Sequence, residues 1–279
     1  MRVQNFLKAA LAGVAIGLVG LGVAATLEGC GSDGADATGG KRVILHTSVG
    51  IDDAALTRFT TALGWNVELS QAAISAGPFY YFDGAPPLVL QTQHNAWQYA
   101  ARWLGLGIAH AHPGHYQPGN AMGQMLESSS VDLLAGAAEF PDGDGVTGTY
   151  RSARFTFAEP SGPAKKLLDG HVALVEGSAA KDGQATRYFR AYADLTDVEE
   201  HASKGQVEGC ELTKVDVQGD GTIMVKVNPH IWFNLVDFTS ADEGSADSPA
   251  DLPADSDARI GFVLGVTQLS AYKFSYLPE

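Results

Sequence analysis

Residues 171–195 read HVALVEGSAAKDGQATRYFRAYADL, and this stretch decides the fold class. Two apolar runs rich in β-branched and aromatic residues flank a short polar centre, KDGQ, in which Asp182-Gly183 supplies the positive φ that a type I′ hairpin turn requires. A helix has no use for that centre, so the stretch predicts two antiparallel strands. Working outward, KRVILHTSV (41–49) is a β-branched run. WNVELSQAAISAGPFYYF (65–82) alternates apolar and polar positions before the turn DGAPP. GTYRSARFTFAEP (148–160) places Tyr150, Ala153, Phe155 and Phe157 near period two. LTKVDV, QGDG and TIMVKVNP (212–229) read as a second hairpin, and IGFVLGVTQLSAYKFSY (260–276) as a closing strand pair or one long strand.

Helical spacing is rarer. DDAALTRFTTAL (52–63), NAWQYAARWLG (95–105) and PHIWFNLVDF (229–238) have apolar residues three or four apart, with Asn95 and Asn228 as caps and Pro229 at a first helical position. With 33 glycines and 12 prolines as punctuation, the expected class is mainly β, an antiparallel β-sandwich with a few short helices. It occupies residues 41–279, with an acidic surface loop at 239–259. The aspartates of that loop lack the glycine-turned, regularly spaced oxygen cage of a calcium site. DVQGDGTIMVKV (216–227) begins like a calcium loop but has Val227 where the bidentate Glu belongs, which leaves it a turn.

The N-terminus carries Arg2 and Lys8 ahead of an apolar stretch, AALAGVAIGLVGLGVAATL (9–27), the pattern of a secretory signal. It ends at LEGC (27–30), which resembles the lipobox of bacterial lipoprotein precursors. That resemblance implies a signal peptide over residues 1–29, palmitate or a similar acyl chain on Cys30, and a protein held to the lipid bilayer on the periplasmic or cell-surface side. Residues 30–40 are small and polar, a flexible tether. The balance of 18 basic against 32 acidic residues gives a net charge of −14, which repels nucleic acid and concentrates cations. With Cys30 acylated, Cys210 has no disulfide partner and reads as a small buried hydrophobe.

Chemistry concentrates in AHAHPGHY (109–116). In an extended segment His110 and His112 point to one face about 7 Å apart. Pro113-Gly114 bends the chain so that His115 can return over the same ion. Three imidazoles suit Zn(II) or Cu(II), and the absence of carboxylates within the motif disfavours Mg and Ca. His94, His46, His230 and water are the candidates for a fourth ligand, whereas His171 and His201 read as lone structural histidines. These residues predict a metal-binding lipoprotein serving acquisition or delivery, not an enzyme. Two alternatives stand beside it: a surface module that binds a protein or glycan, and a metal-dependent hydrolase with Glu127 or Asp132 as its base.

The order of WNVELSQAAISAGPFYYFDG, GVTGTYRSARFTFAEP and LDGHVALVEGSAAKDG resembles the β-sandwich organisation of the periplasmic copper-binding partner proteins of methanobactin systems, including a G-x-Y strand entry at Gly148 and Tyr150. The resemblance implies a binding protein. The paired cysteines and the asparagine-histidine segment expected of those proteins are missing here, so no ligand is carried over.

Overall fold

The computed structural model describes residues 39–52, 57–87 and 116–279. The signal, Cys30, most of the tether and the segment 88–115 lie outside the described residues, as does the expected helix at 95–105. The chain is mainly β with a few short helices. It opens with β1 (Arg42–Ile51), β2 (Arg58–Thr60), β3 (Asn66–Ala76) and β4 (Phe79–Phe82). After the undescribed segment come β5 (Ala121–Met125), β6 (Ser129–Asp132), β7 (Ala138–Val146), β8 (Gly148–Thr156) and a one-turn α1 (Lys165–Leu168). Next are β9 (Ala173–Ala180), β10 (Arg187–Ala193), α2 (Leu195–His201), β11 (Gln206–Val217) and β12 (Gly221–Val227). The order closes with α3 (Pro229–Trp232), β13 (Ala250–Asp251), α4 (Asp257–Val266) and β14 (Tyr272–Pro278).

The stretch that set the fold class forms its hairpin: β9 and β10 pair antiparallel from Ala173↔Ala193 to Ala179↔Arg187. Its turn differs from expectation. Only Gly183 has positive φ, and Gln184 N–H donates to the Lys181 carbonyl at 3.0 Å. Type I′ needs positive φ at both central residues, so this is a longer connection in which the strands resume pairing at Arg187. Along β10, Phe189, Ala191 and Ala193 are buried while Tyr188, Arg190 and Tyr192 look outward.

Eight strands close into a barrel in the order β1-β12-β14-β11-β8-β4-β5-β7, and a second, open sheet runs β13-β10-β9-β3-β2 with β6 beside β3. Pairing is mixed where a purely antiparallel sandwich was expected: β1–β12, β11–β14 and β10–β13 are parallel. The second expected hairpin does not form, because β14 lies between β11 and β12. The turn at 218–220 reverses the chain but leaves the strands apart. Tyr276 of β14 fills the gap, its hydroxyl reaching the Gly219 and Asp220 carbonyls at 2.9 and 3.0 Å.

Two further expectations are corrected. Residues 260–266, expected as the start of a strand, instead belong to helix α4 (Asp257–Val266), whose N-cap Ser256 accepts from Arg259 N–H at 3.1 Å. Gly261 and Gly265 let α4 press onto the carbonyls of Leu235 and Trp232, positions that a Cβ would occlude. The helix starts inside the acidic stretch, so the loop is confined to residues 241–256, after a 3-10 turn at Phe238–Ser240 and interrupted by β13. Within 52–63, expected as helix, residues 58–60 are β2, held by the cross-strand pairs Arg58–Glu68 and Thr60–Asn66. Of the helix expected over 229–238 only the first turn, α3, forms; there the signals hold, with the Asn228 side chain accepting from His230 N–H at 3.1 Å and Pro229 behind it.

Aromatic rings fill the barrel. Phe155 of β8 stacks on Tyr272 of β14 with centroids 4.0 Å apart, touches Phe79 of β4 at 5.4 Å, and meets Phe157 edge-on at 5.1 Å. Trp65, Phe189, Phe233, Phe238 and Phe262 pack between the open sheet and helices α3 and α4, continuous with the barrel core.

Candidate functional site

The histidine motif belongs to the connection between β4 and β5, an antiparallel pair in the barrel wall. Its neck is tied. Asp83 accepts from Asn120 N–H at 2.7 Å and from its side-chain amide at 2.8 Å, while Gly84 N–H donates to the Pro118 carbonyl at 2.8 Å. Pro87 and Tyr116 then rest on one spot of β11, each within 4 Å of where a Cβ on Gly209 would stand. The Tyr116 hydroxyl bonds Ser152 Oγ at 2.6 Å, and Ser152 Oγ donates to the Gly84 carbonyl at 2.7 Å. Residues 88–115 therefore leave and rejoin the barrel at one place. His94, His110, His112 and His115 lie within them, outside the described residues.

His46 stands on the outer wall of β1, opposite a bulge in β7. Leu45 pairs with Gly143 and Thr47 with Phe140, so Pro141 and Asp142 together face His46. Bulges re-aim side chains, and this one brings the Asp142 carboxylate to 2.6 Å from Nδ1. Nε2 lies 3.1 Å from a Glu279 carboxylate oxygen, so each ring nitrogen has a carboxylate beside it. The bond to Asp142 holds the His46 pKa above its ordinary 6.5; slight burial opposes this, and the charges of Asp142, Glu279 and Asp220 add to it. A surface groove bordered by Gly219, Asp220, Tyr276, Pro278 and Glu279 runs alongside.

The other histidines are apart. The His230 ring lies tilted against Phe59 with centroids 4.8 Å apart. His46 is level with Thr222 at the start of β12, and His230 follows the end of that strand at Val227, a run of about 16 Å. His171 Nδ1 binds Asp194 Oδ1 at 2.6 Å and its ring stacks on Tyr192 at 3.9 Å. The Arg259 guanidinium sits 4.0 Å from the Tyr192 centroid, so the two groups must take opposite faces of that ring. Arg259, 5% exposed, also binds Asp197 at 2.6 Å and so ties α4 to α2. His201 is exposed on α2.

Among the described residues no three His, Cys, Asp or Glu side chains converge on a metal-sized site. No family model, curated protein or solved structure matches the chain. Cys210 is fully buried, and burial pushes its thiol up to about 12, the inert state expected of it. Of the two candidate hydrolase bases, Glu127 is exposed and Asp132 accepts from Leu134 N–H at 3.0 Å. Asp142, Glu279 and Arg259 were not singled out from sequence. One signal was present for Asp142, since a proline inside a strand-like run, here EFPDGDGV, marks a bulge.

Proposed function

We propose that the chain is a membrane-anchored extracytoplasmic lipoprotein that binds one Zn(II) or Cu(II) ion for acquisition or delivery. The observation that carries this reading is the spacing of His110, His112 and His115, which suits three imidazole ligands on one ion. The tied neck at Pro87 and Tyr116 supports it, because a segment fixed at both ends to a rigid wall suits a ligand-bearing excursion. The acidic surface raises the local concentration of cations. Imidazole must be neutral to ligate, so affinity falls as pH drops from about 7 to 5.

Metal content tests the reading. Purified chain dialysed against a weak chelator is expected to retain about one ion, as a single three-imidazole site implies. The double substitution His110→Ala and His112→Ala is expected to retain none, with unchanged circular dichroism. Equal content in both proteins would overturn it. Anchoring is tested separately by metabolic labelling with a palmitate analogue. Label is expected on the wild type and absent from Cys30→Ala; an unlabelled wild type ends the lipoprotein reading without touching the metal one.

A further inference from the structure

His46 is held by two carboxylates from separate parts of the barrel. Asp142 reaches Nδ1 from the β7 bulge on one side. On the other side β12 intervenes, and Glu279, which follows β14, reaches Nε2 from beyond it. The uncharged outward neighbours Thr222 and Leu277 complete the row between them.

Ionised carboxylates only accept hydrogen bonds, and a neutral imidazole has a single N–H. Only the doubly protonated ring can donate to Asp142 and Glu279 together. The surrounding charges agree. Asp142, Asp144 and Glu139 come from β7, Asp220 from the turn before β12, and Glu279 from beyond β14; Arg42 is the nearby base on β1. Lys226, four residues along β12 from Thr222, is about 13 Å farther down the wall. Asp220 is itself fixed, accepting from Ile44 N–H at 2.7 Å.

We propose that His46 is a proton-operated clasp: protonated, it fastens Asp142 and Glu279 across β1 and β12, and on losing a proton it releases Glu279, the longer contact, at the border of the groove beside Gly219, Tyr276 and Pro278. The direction of the His46 shift fits this scheme. A histidine whose folded pKa is raised contributes stability that is fully present below its ordinary 6.5 and is lost as pH rises through the folded value. The clasp is therefore closed below the ordinary imidazole value and opens as pH rises through the raised folded value. It does not depend on the metal reading or on residues 88–115.

Nuclear magnetic resonance of the full chain labelled at histidine and glutamate tests it. The expected His46 midpoint is above 6.5, with the Glu279 carboxyl resonance stepping at the same pH. Glu279→Gln is expected to lower that midpoint and Asp142→Asn to lower it further. Both substitutions lie on the exposed wall and leave the fold intact. A wild-type midpoint at or below 6.5, no step at Glu279, or an unmoved midpoint in Glu279→Gln would each overturn the clasp.

Discussion

Phe155→Ala is expected to cost about 3–5 kcal/mol of folding stability, the range for emptying a fully buried aromatic site. The ring has no exposed surface and contacts rings from two other barrel strands, Tyr272 of β14 and Phe79 of β4, along with Phe157 just beyond its own strand. The Tyr272 and Phe79 rings are carried on paired barrel strands, which limits how far they can relax into the space. For a domain of this size the loss lowers the melting temperature by roughly 6–20 °C. Phe155→Leu keeps most of the volume and is expected to lose far less. Thermal and urea unfolding followed by tryptophan fluorescence, with Trp65 and Trp232 fully buried, measures both. A loss below about 1 kcal/mol in Phe155→Ala, the level of an ordinary mutation, would mean that the barrel does not close around this ring.

The second large effect concerns residues 88–115. Pro87 and Tyr116 rest on the same point of β11, so a Gly-Asn-Gly turn can join them in place of the whole segment. Shortening a connection from 28 residues to three removes closure entropy worth up to about 2 kcal/mol. The expected product unfolds cooperatively at an equal or higher temperature and binds no metal. Loss of cooperative unfolding would show that the segment supplies core. Retained stoichiometric metal would place the site elsewhere and defeat the assignment to His110, His112 and His115.

How much of this was legible in the sequence depended on range. Strands β1, β3, β8, β9 and β10 showed through because alternation is local and appears along part of each, although β1 over Thr47–Gly50 and β3 over Ala72–Ala76 are buried on both faces. The β11–β12 hairpin misled because a turn signal says nothing about a strand arriving from 50 residues downstream to sit between its arms. Helix α4 was hidden because it is buried nearly all round, at Ala258, Arg259, Phe262, Val263 and Val266, and so lacks the polar stripe by which a helix is recognised. Barrel closure was illegible for a related reason: inward and outward faces alternate identically in a sandwich and a barrel. For the candidate site, residues 109–116 were visible as a motif, whereas the His46 cluster needs three separate strands to be placed before it exists.

The central position of β14 has a bearing on how the chain is made. Residues 272–278 supply the slat that joins β11 to β12, and β1 pairs with β12 across a span typified by Ile44 and Asp220, 176 positions apart. Synthesis proceeds from the N-terminus at about 5–20 residues per second, and long-range pairing of this kind is slow. Until its last strand emerges, the nascent polypeptide has two unmatched edges and no closed wall. Closure of the wall therefore waits on residues 272–278, after residues 42–271 have been made.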